Sequence, residues 1–292
     1  MADTGINTGA LPRLGRVLVV GVGMIGGSLG MRLRRSGACG EVIGSDSAPL
    51  DEALNQGAID RAGPLEDLAS QADLVILCTP VGTLENIARN IAPHLKPEAV
   101  VTDVGSVKGD VVAALAPLFK GRFVGAHPIA GKESSGVAAA DPDLFEGANC
   151  ILTPEEHTDP DATERVEALW RWAGSNLIRM IPEVHDRVFA SVSHLPHLVA
   201  YALMDTVSRA GSEEIDPVAF AAGGLKDFTR VAASNATMWR DICLHNREAI
   251  LESLDGYRKS LEQLQGAIEN GDGNALEEVF SQARSVRERL TR

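Results

Sequence analysis

The sequence predicts an α/β domain with a doubly wound parallel sheet, followed by an all-α dimerisation domain. Three observations predict it: short β-branched runs that alternate with helix-like segments up to about residue 180, a glycine-rich turn directly after the first run, and long stretches of helical periodicity from residue 182 on. The runs are Arg16–Val20, Glu41–Ser45, Leu74–Cys78, Ala99–Thr102, Arg122–Gly125 and Asn149–Leu152. Strands buried on both faces read as continuous apolar runs, and their alternation with helices makes βαβ units with right-handed crossovers. The helical stretches are Val184–Arg209, Pro217–Ser234, Thr237–Gln265 and Asn274–Leu290. The expected division is a flexible N-terminus over 1–15, the sheet domain over 16–181 and the helical domain over 182–292.

Composition narrows the class. The 292 residues carry 27 Lys and Arg against 40 Asp and Glu, a net charge of −13 that repels nucleic acid and anionic membranes at long range. A hydrophobic share of 45% is enough to bury a core, which excludes disorder as the main state. Cys39, Cys78, Cys150 and Cys243 lie far apart without C-x-x-C spacing, which argues against a disulfide scaffold or a cysteine-rich zinc site and fits a reducing cytoplasm. Met1 to Gly15 has neither the basic nor the apolar region of a secretion signal, and no stretch reaches the ~18 apolar residues of a membrane span, so a soluble, unprocessed, cytoplasmic protein is expected. Leu198, Val199, Tyr201, Ala202 and Leu203 stand nearly in succession in the helical half. A helix that is apolar nearly all round needs a second covering surface, and a partner subunit would supply it.

Gly21-Val22-Gly23-Met24-Ile25-Gly26 follows the first run and opens a helix. Such glycines permit a tight turn and close approach of backbone N–H groups to a pyrophosphate, and the helix N-terminus favours the anion. Asp46 ends the second strand, where a carboxylate accepts hydrogen bonds from the adenosine ribose. With strand, turn, helix and acid in register, the first domain reads as a Rossmann-type dinucleotide-binding domain. Asp46 repels a 2′-phosphate and Ser47-Ala48-Pro49 offers no arginine to receive one, so NAD is the expected cofactor. Thr79 and Pro80 end the third run at the carboxyl edge, as a cofactor wall or a plain strand-ending turn.

Three further segments lie where such a domain gathers its reactive groups: Asp103-Val104-Gly105-Ser106-Val107-Lys108, Gly125-Ala126-His127-Pro128-Ile129-Ala130-Gly131-Lys132-Glu133 and Ser193-His194-Leu195-Pro196-His197. Together with Gly223-Gly224-Leu225-Lys226-Asp227-Phe228-Thr229-Arg230 and Met238-Trp239, they resemble the prephenate/arogenate dehydrogenase family of tyrosine biosynthesis. The likeness runs from about Arg16 to the last helices. It implies an NAD-linked oxidative decarboxylation: hydride leaves the ring carbon that bears the 4-hydroxyl, the para carboxylate departs as CO2, and the ring becomes a phenol. Prephenate is the main substrate reading and arogenate the alternative.

By that resemblance His127 is the catalytic histidine, and an imidazole with an ordinary pKa near ~6.5 suits it to take the hydroxyl proton around neutrality. Ser106 matches a serine that bonds the same hydroxyl or orients the histidine, although serine also starts turns for local reasons. His197 matches a substrate-binding histidine. His194, three residues earlier on the same helical face, reads as structural, and with no third ligand beside the pair no metal is expected. Arg230 matches the arginine that binds a substrate carboxylate, a task that suits a guanidinium fork. Lys226 and Asp227 are placed with it on one helix, Asp227 as an acid orienting Arg230. Trp239 reads as core on its bulk and as a pocket wall by resemblance. Glu133 matches an acidic residue that gates the site, or is an exposed loop charge; a pocket carboxylate would favour arogenate, whose side chain ends in an ammonium acid.

Two other readings stand beside this one. A β-hydroxy acid dehydrogenase shares the two-domain plan, but members of that class resemble one another in a lysine four residues before an asparagine, and here Lys226 precedes Arg230. A non-catalytic NAD sensor has no need of Ser106, His127 and Arg230 at matching positions. Family members that carry a further regulatory domain or a fused mutase are longer, and a chain ending at Arg292 is expected to lack both.

Overall fold

The computed structural model describes residues 11–131, 134–211 and 215–291. Its sheet is built from β1 (Arg16–Val20), β2 (Glu41–Ser45), β3 (Arg61–Ala62), β4 (Leu74–Leu77), β5 (Val100–Asp103), β6 (Phe123–Pro128), β7 (Asn149–Thr153) and β8 (Asn176–Arg179), in the order β3-β2-β1-β4-β5-β6-β7-β8. The first six strands are parallel, and the order reverses between β1 and β4, the switch point at whose carboxyl side ligands of doubly wound folds bind.

Successive strand residues face opposite sides, and each side has its own core. Val17 and Val19 of β1 and Leu74 and Ile76 of β4 pack with Trp170 and Phe145 on one face. Leu18, Val20, Val75 and Leu77 pack on the other with Leu84, Ala88, Val111 and Val112. The covering helices are α1 (Met24–Ser36), α2 (Asp51–Asn55), α3 (Leu65–Ala69), α4 (Val81–Ile91), α5 (Gly109–Leu115) and α6 (Pro160–Ala173). The last is bounded by local chemistry: Asp159 caps it through a bond from Asp161 N–H, Pro160 occupies its first turn, and Gly174 closes it in the left-handed region.

Two findings depart from an all-parallel expectation. β7 runs antiparallel to β6, with His127 opposite Ile151. The connection between them is broken by Gly131, Gly136, Pro142 and Gly147, and its described residues form a 3-10 turn at Val137–Ala139 and no crossover helix that would bring β7 in parallel. β3 and β8 are also additional to the runs named above: β3 has two residues, and β8, Asn-Leu-Ile-Arg, is an edge strand too short and polar to stand out.

The regular elements after β8 are helices: α7 (Pro182–Phe189), α8 (Leu195–Arg209), α9 (Gly223–Thr229), α10 (Ala236–His245), α11 (Arg247–Glu269) and α12 (Gly273–Glu288), with shorter turns between them. A π turn at Ala190–His194 joins α7 to α8, just where Pro196 lacks the N–H that an α-helical turn would use. The single helix expected over Pro217–Ser234 is instead a 3-10 turn at Pro217–Phe220, the short α9, and a second 3-10 turn at Arg230–Ala233, interrupted where Gly223-Gly224 weakens helical continuity. The helix expected over Thr237–Gln265 divides at Asn246, which leaves helical geometry as its side chain bonds the Asp186 carbonyl. By packing, the chain forms two compact units, one ending at Asn246 and the other beginning at Arg247. Residue 182 therefore marks the end of the sheet, while α7 to α10 pack with the sheet unit. In the second unit α11 and α12 form a hairpin, with Gly271 in the left-handed region and Asp272 capping α12.

Candidate active site

The glycine turn leaves β1 with Gly21 at φ +89°, where a Cβ would stand 2.9 Å from the Cys78 carbonyl carbon. A Cβ on Gly23, by contrast, would meet nothing within 4 Å. The turn is thus packed tight on the protein side and open on the other, as a cradle for a pyrophosphate must be. No side chain caps the start of α1 and no acid stands in its first turn, so its N–H groups are available to an anion. Asp46 holds the turn: its Oδ2 accepts from Val22 N–H at 2.7 Å and its Oδ1 from Ala48 N–H at 3.0 Å. Ser47 Oγ also donates to Oδ1, at 3.4 Å, so Oδ2 is the oxygen that keeps a lone pair for a ribose hydroxyl. Thr79 packs its methyl 2.9 Å from where a Gly21 Cβ would lie, and Pro80 opens α4 beside it. Met24 and Ile25 lie half-buried in the first turn of α1. These residues fit a dinucleotide. From β1 to β6 is three strand spacings, roughly 14 Å, so a ligand anchored at the turn reaches His127 only by extending across β4 and β5.

At the β6 end a cleft of about 900 Å³ is lined by His127 and the backbone through Gly131, by Phe189, Val192 and Ser193, by His197 on α8, and by Arg230, Val231 and Ser234. The structure therefore brings together His127, His197 and Arg230, which the sequence places more than 100 residues apart at the extremes. Lys226 and Asp227 are exposed on α9 and do not line the cleft. Ser106 is half-buried in the loop between β5 and α5, outside the cleft lining and facing the His194 ring with its backbone. Trp239 is not among the residues lining the cleft: it is 6% exposed, packs on Val107 and Ile242, and stacks on His197 with ring centroids 3.8 Å apart. Glu133 lies outside the described residues.

Burial, then His185, Lys108 and His194, hold the His127 pKa well below its ordinary value. His127 Nδ1 lies 2.8 Å from His185 Nε2, and Phe189 packs against both rings. His185 Nδ1 in turn lies 2.8 Å from Asp186 Oδ1. Burial alone would raise the Asp186 carboxyl, but bonds from His185 and from the Lys108 and Gly109 amides bring it below the usual carboxylate range. Lys108 and Asp103 form a fully buried ion pair. Together they clamp Ala126, whose N–H donates to Asp103 Oδ1 at 3.1 Å and whose carbonyl accepts from Lys108 Nζ at 2.8 Å. This pins the residue before His127 from both sides.

His197 Nδ1 donates to the Ser193 carbonyl at 2.9 Å, so the neutral ring presents Nε2 as an acceptor, and burial lowers its pKa. His194 is 1% exposed, and its Nδ1 accepts from Asn246 Nδ2 at 3.0 Å. Among the described residues its buried Nε2 has no partner within hydrogen-bond geometry, and the Ser106 backbone is the polar group that faces it. The sequence reading misses His185, Asp186, Asp103 and Asn246. A lysine five residues after a strand-end aspartate, among apolar neighbours, is the signal that points to the Asp103–Lys108 pair.

Two sequence-family models match the chain: "Prephenate dehydrogenase, nucleotide-binding domain" over residues 29–179 and "Prephenate dehydrogenase, dimerization domain" over 181–282. The chain belongs to the prephenate/arogenate dehydrogenase family. A prephenate dehydrogenase of Bacillus subtilis is 38% identical over 94% of this chain and 76% of its own length. A cyclohexadienyl dehydrogenase of Zymomonas mobilis is 35% identical over 93% and 94%. Among solved structures, the prephenate dehydrogenase of Aquifex aeolicus in complex with hydroxyphenyl propionate and NAD+ superposes with a TM-score of 0.91 at 41% identity, covering 94% of this chain and 98% of that one. Synechocystis arogenate dehydrogenase does so with a TM-score of 0.81 at 33% identity, over 94% and 99%.

Proposed function

We propose that this chain catalyses the NAD-linked oxidative decarboxylation of prephenate to 4-hydroxyphenylpyruvate, with conversion of arogenate to tyrosine as the second reading. The observation that carries it is His127 and Arg230 lining one cleft on the carboxyl side of a sheet whose first turn is built for a dinucleotide. When bound, NAD accepts the hydride. The task left to the protein is to hold the ring carbon in place and to take the proton of the 4-hydroxyl as its oxygen becomes a carbonyl. His127 takes that proton. Arg230 grips a carboxylate of the dianionic substrate, His197 accepts a hydrogen bond through Nε2, and Ser106 bonds the same hydroxyl or orients the histidine. Lys226 and Asp227 lie beyond the cleft lining and supply positive charge on approach and support for the Arg230 turn.

Prephenate comes first because none of the described residues lining the cleft is a carboxylate that would meet an ammonium. Glu133, between the lining residues Gly131 and Ser134 in sequence, is the group through which arogenate would be favoured, and the similarity to Synechocystis arogenate dehydrogenase keeps that reading in view. Turnover of each substrate with NAD, followed at the reduced-nicotinamide band, decides between them. A higher kcat/KM for prephenate is expected; reduction of NAD with neither substrate overturns the proposal.

The functional unit we propose is a homodimer through the helical domain. In α8 only Ala200 is fully buried, while Leu198, Val199, Tyr201 and Leu203 are half-covered, and the family model of this region is a dimerization domain. Obligate interfaces of this kind commonly bury more than ~2,000 Å². Light scattering at micromolar concentration is expected to give twice the 30.9 kDa chain mass, and a monomer mass rejects it. The proposed location is the cytoplasm, supported by four free cysteines.

A further inference from the structure

Behind His127 runs a chain of hydrogen bonds whose direction follows from its far end. Asp186 is 7% exposed and doubly anchored, its Oδ1 accepting from Lys108 N–H at 2.8 Å and its Oδ2 from Gly109 N–H at 2.7 Å. An ionised carboxylate only accepts, so the 2.8 Å contact to Oδ1 requires a proton on His185 Nδ1. A neutral imidazole carries one proton, which leaves His185 Nε2 as an acceptor. The 2.8 Å contact between that atom and His127 Nδ1 then requires the proton on His127 Nδ1, and His127 Nε2 is left bare.

We infer that His185 and Asp186 are positioning residues that hold His127 in the one tautomer able to accept a proton at Nε2, and that link the imidazolium so formed to a buried negative charge. The other tautomer would set two lone pairs against each other between the histidines and turn the acceptor Nε2 into a donor. A carboxylate plays this orienting part behind the histidine of Ser-His-Asp enzymes; here a second imidazole stands between acid and base. The groups around His127 explain why such support matters. His185 and Asp186 face it from α7, Lys108 and Asp103 from β5 and its loop, and His194 from the π turn. Lys108 and His194 disfavour a positive charge on the ring, Asp103 neutralises Lys108, and Asp186 is the acid to which the ring is joined by hydrogen bonds.

The inference rests on the proposed reaction only for what Nε2 does; the tautomer stands without it. The full chain, labelled with 15N-histidine, is examined without substrate by two-bond 1H–15N correlation, with the His127 signals assigned by their loss in His127→Asn. His127 and His185 are both expected with a protonated Nδ1 and a bare Nε2. A protonated His127 Nε2 overturns the inference whether or not prephenate is a substrate. With prephenate and NAD, His185→Phe, which has no acceptor, is expected to lower kcat by at least tenfold, to leave KM within about twofold, and to move the acidic limb of the pH profile to lower pH. His185→Gln, whose Oε1 accepts from His127 Nδ1–H, is expected to restore the tautomer and part of kcat. Wild-type kcat and pH profile in His185→Phe overturn the inference. A wild-type enzyme inert toward prephenate and arogenate removes the proposed reaction and leaves the tautomer measurement to decide.

Discussion

Asp103 and Lys108, five residues apart, are both wholly buried and hold the same residue, Ala126, by its amide and its carbonyl. Gly125, the residue before Ala126, has no space for a side chain: a Cβ there would run into Thr153 Oγ1 and come within 3.0 Å of Val112 Cγ2. Removing one partner strands a charge in the core. Lys108→Met alone is expected to cost about 3–5 kcal/mol in urea unfolding. Asp103→Leu with Lys108→Met is expected to regain part of that but not all, because the Ala126 amide and carbonyl each lose a partner.

Cofactor choice should turn on Asp46. Asp46→Ser with Ser47→Arg is expected to narrow the preference for NAD over NADP, read as the ratio of kcat/KM values. Because Asp46 also ties down Val22 N–H, the KM for NAD is expected to rise in the same variant. A wild-type enzyme equally good with both cofactors contradicts this reading.

Arg230 binds the substrate in ground and transition states alike, so Arg230→Ala is expected to act mainly on KM. Arg230 is exposed in this chain, so the loss is set at the ~1.5–3 kcal/mol of a hydrogen bond between charged groups, about tenfold or more in KM. Arg230→Lys, which keeps the charge but not the fork, is expected to recover only part of it. Steady-state kinetics with prephenate check both.

Acid sensitivity should trace in part to His194. Burial pulls its pKa to about 4, against an unfolded value near ~6.5. Below pH ~6.5 the unfolded chain takes up a proton that the folded chain refuses, so stability falls as pH drops and levels off once the folded ring protonates near 4. The loss from this residue is roughly 3 kcal/mol. Urea unfolding at intervals from pH 7 to 4 is expected to show it, with a shallower slope in His194→Gln whatever that variant's absolute stability.

What the sequence discloses follows the physics of each feature. The central strands are legible because burial on both faces forces unbroken apolar runs such as Leu74-Val75-Ile76-Leu77. The glycine turn and Asp46 are legible because backbone approach to a phosphate admits few residue types. β8 is not, since an edge strand of four residues has neither length nor pattern, and the direction of β7 depends on a connection rather than on the strand itself. His127, His197 and Arg230 came through resemblance, not spacing. His185 and Asp186 carry no signature: they sit in the first turns of α7, 58 residues from His127 in the case of His185, and only the fold sets them behind it. The break before α9 is written in Gly223-Gly224, but helical periodicity on both sides masks it.

The central claim is that neutral His127 takes the hydroxyl proton, and the pH dependence of kcat/KM in wild type and His127→Asn tests it most directly. Protonation removes the acceptor, so wild-type activity should fall on the acidic side, with a midpoint below the ordinary histidine value because burial lowers the pKa of this ring. His127→Asn is expected to depress kcat by ~10²–10⁴-fold with little change in KM and to abolish that limb. An acidic limb that survives the substitution with its midpoint unchanged contradicts the account and moves the titrating base to His197.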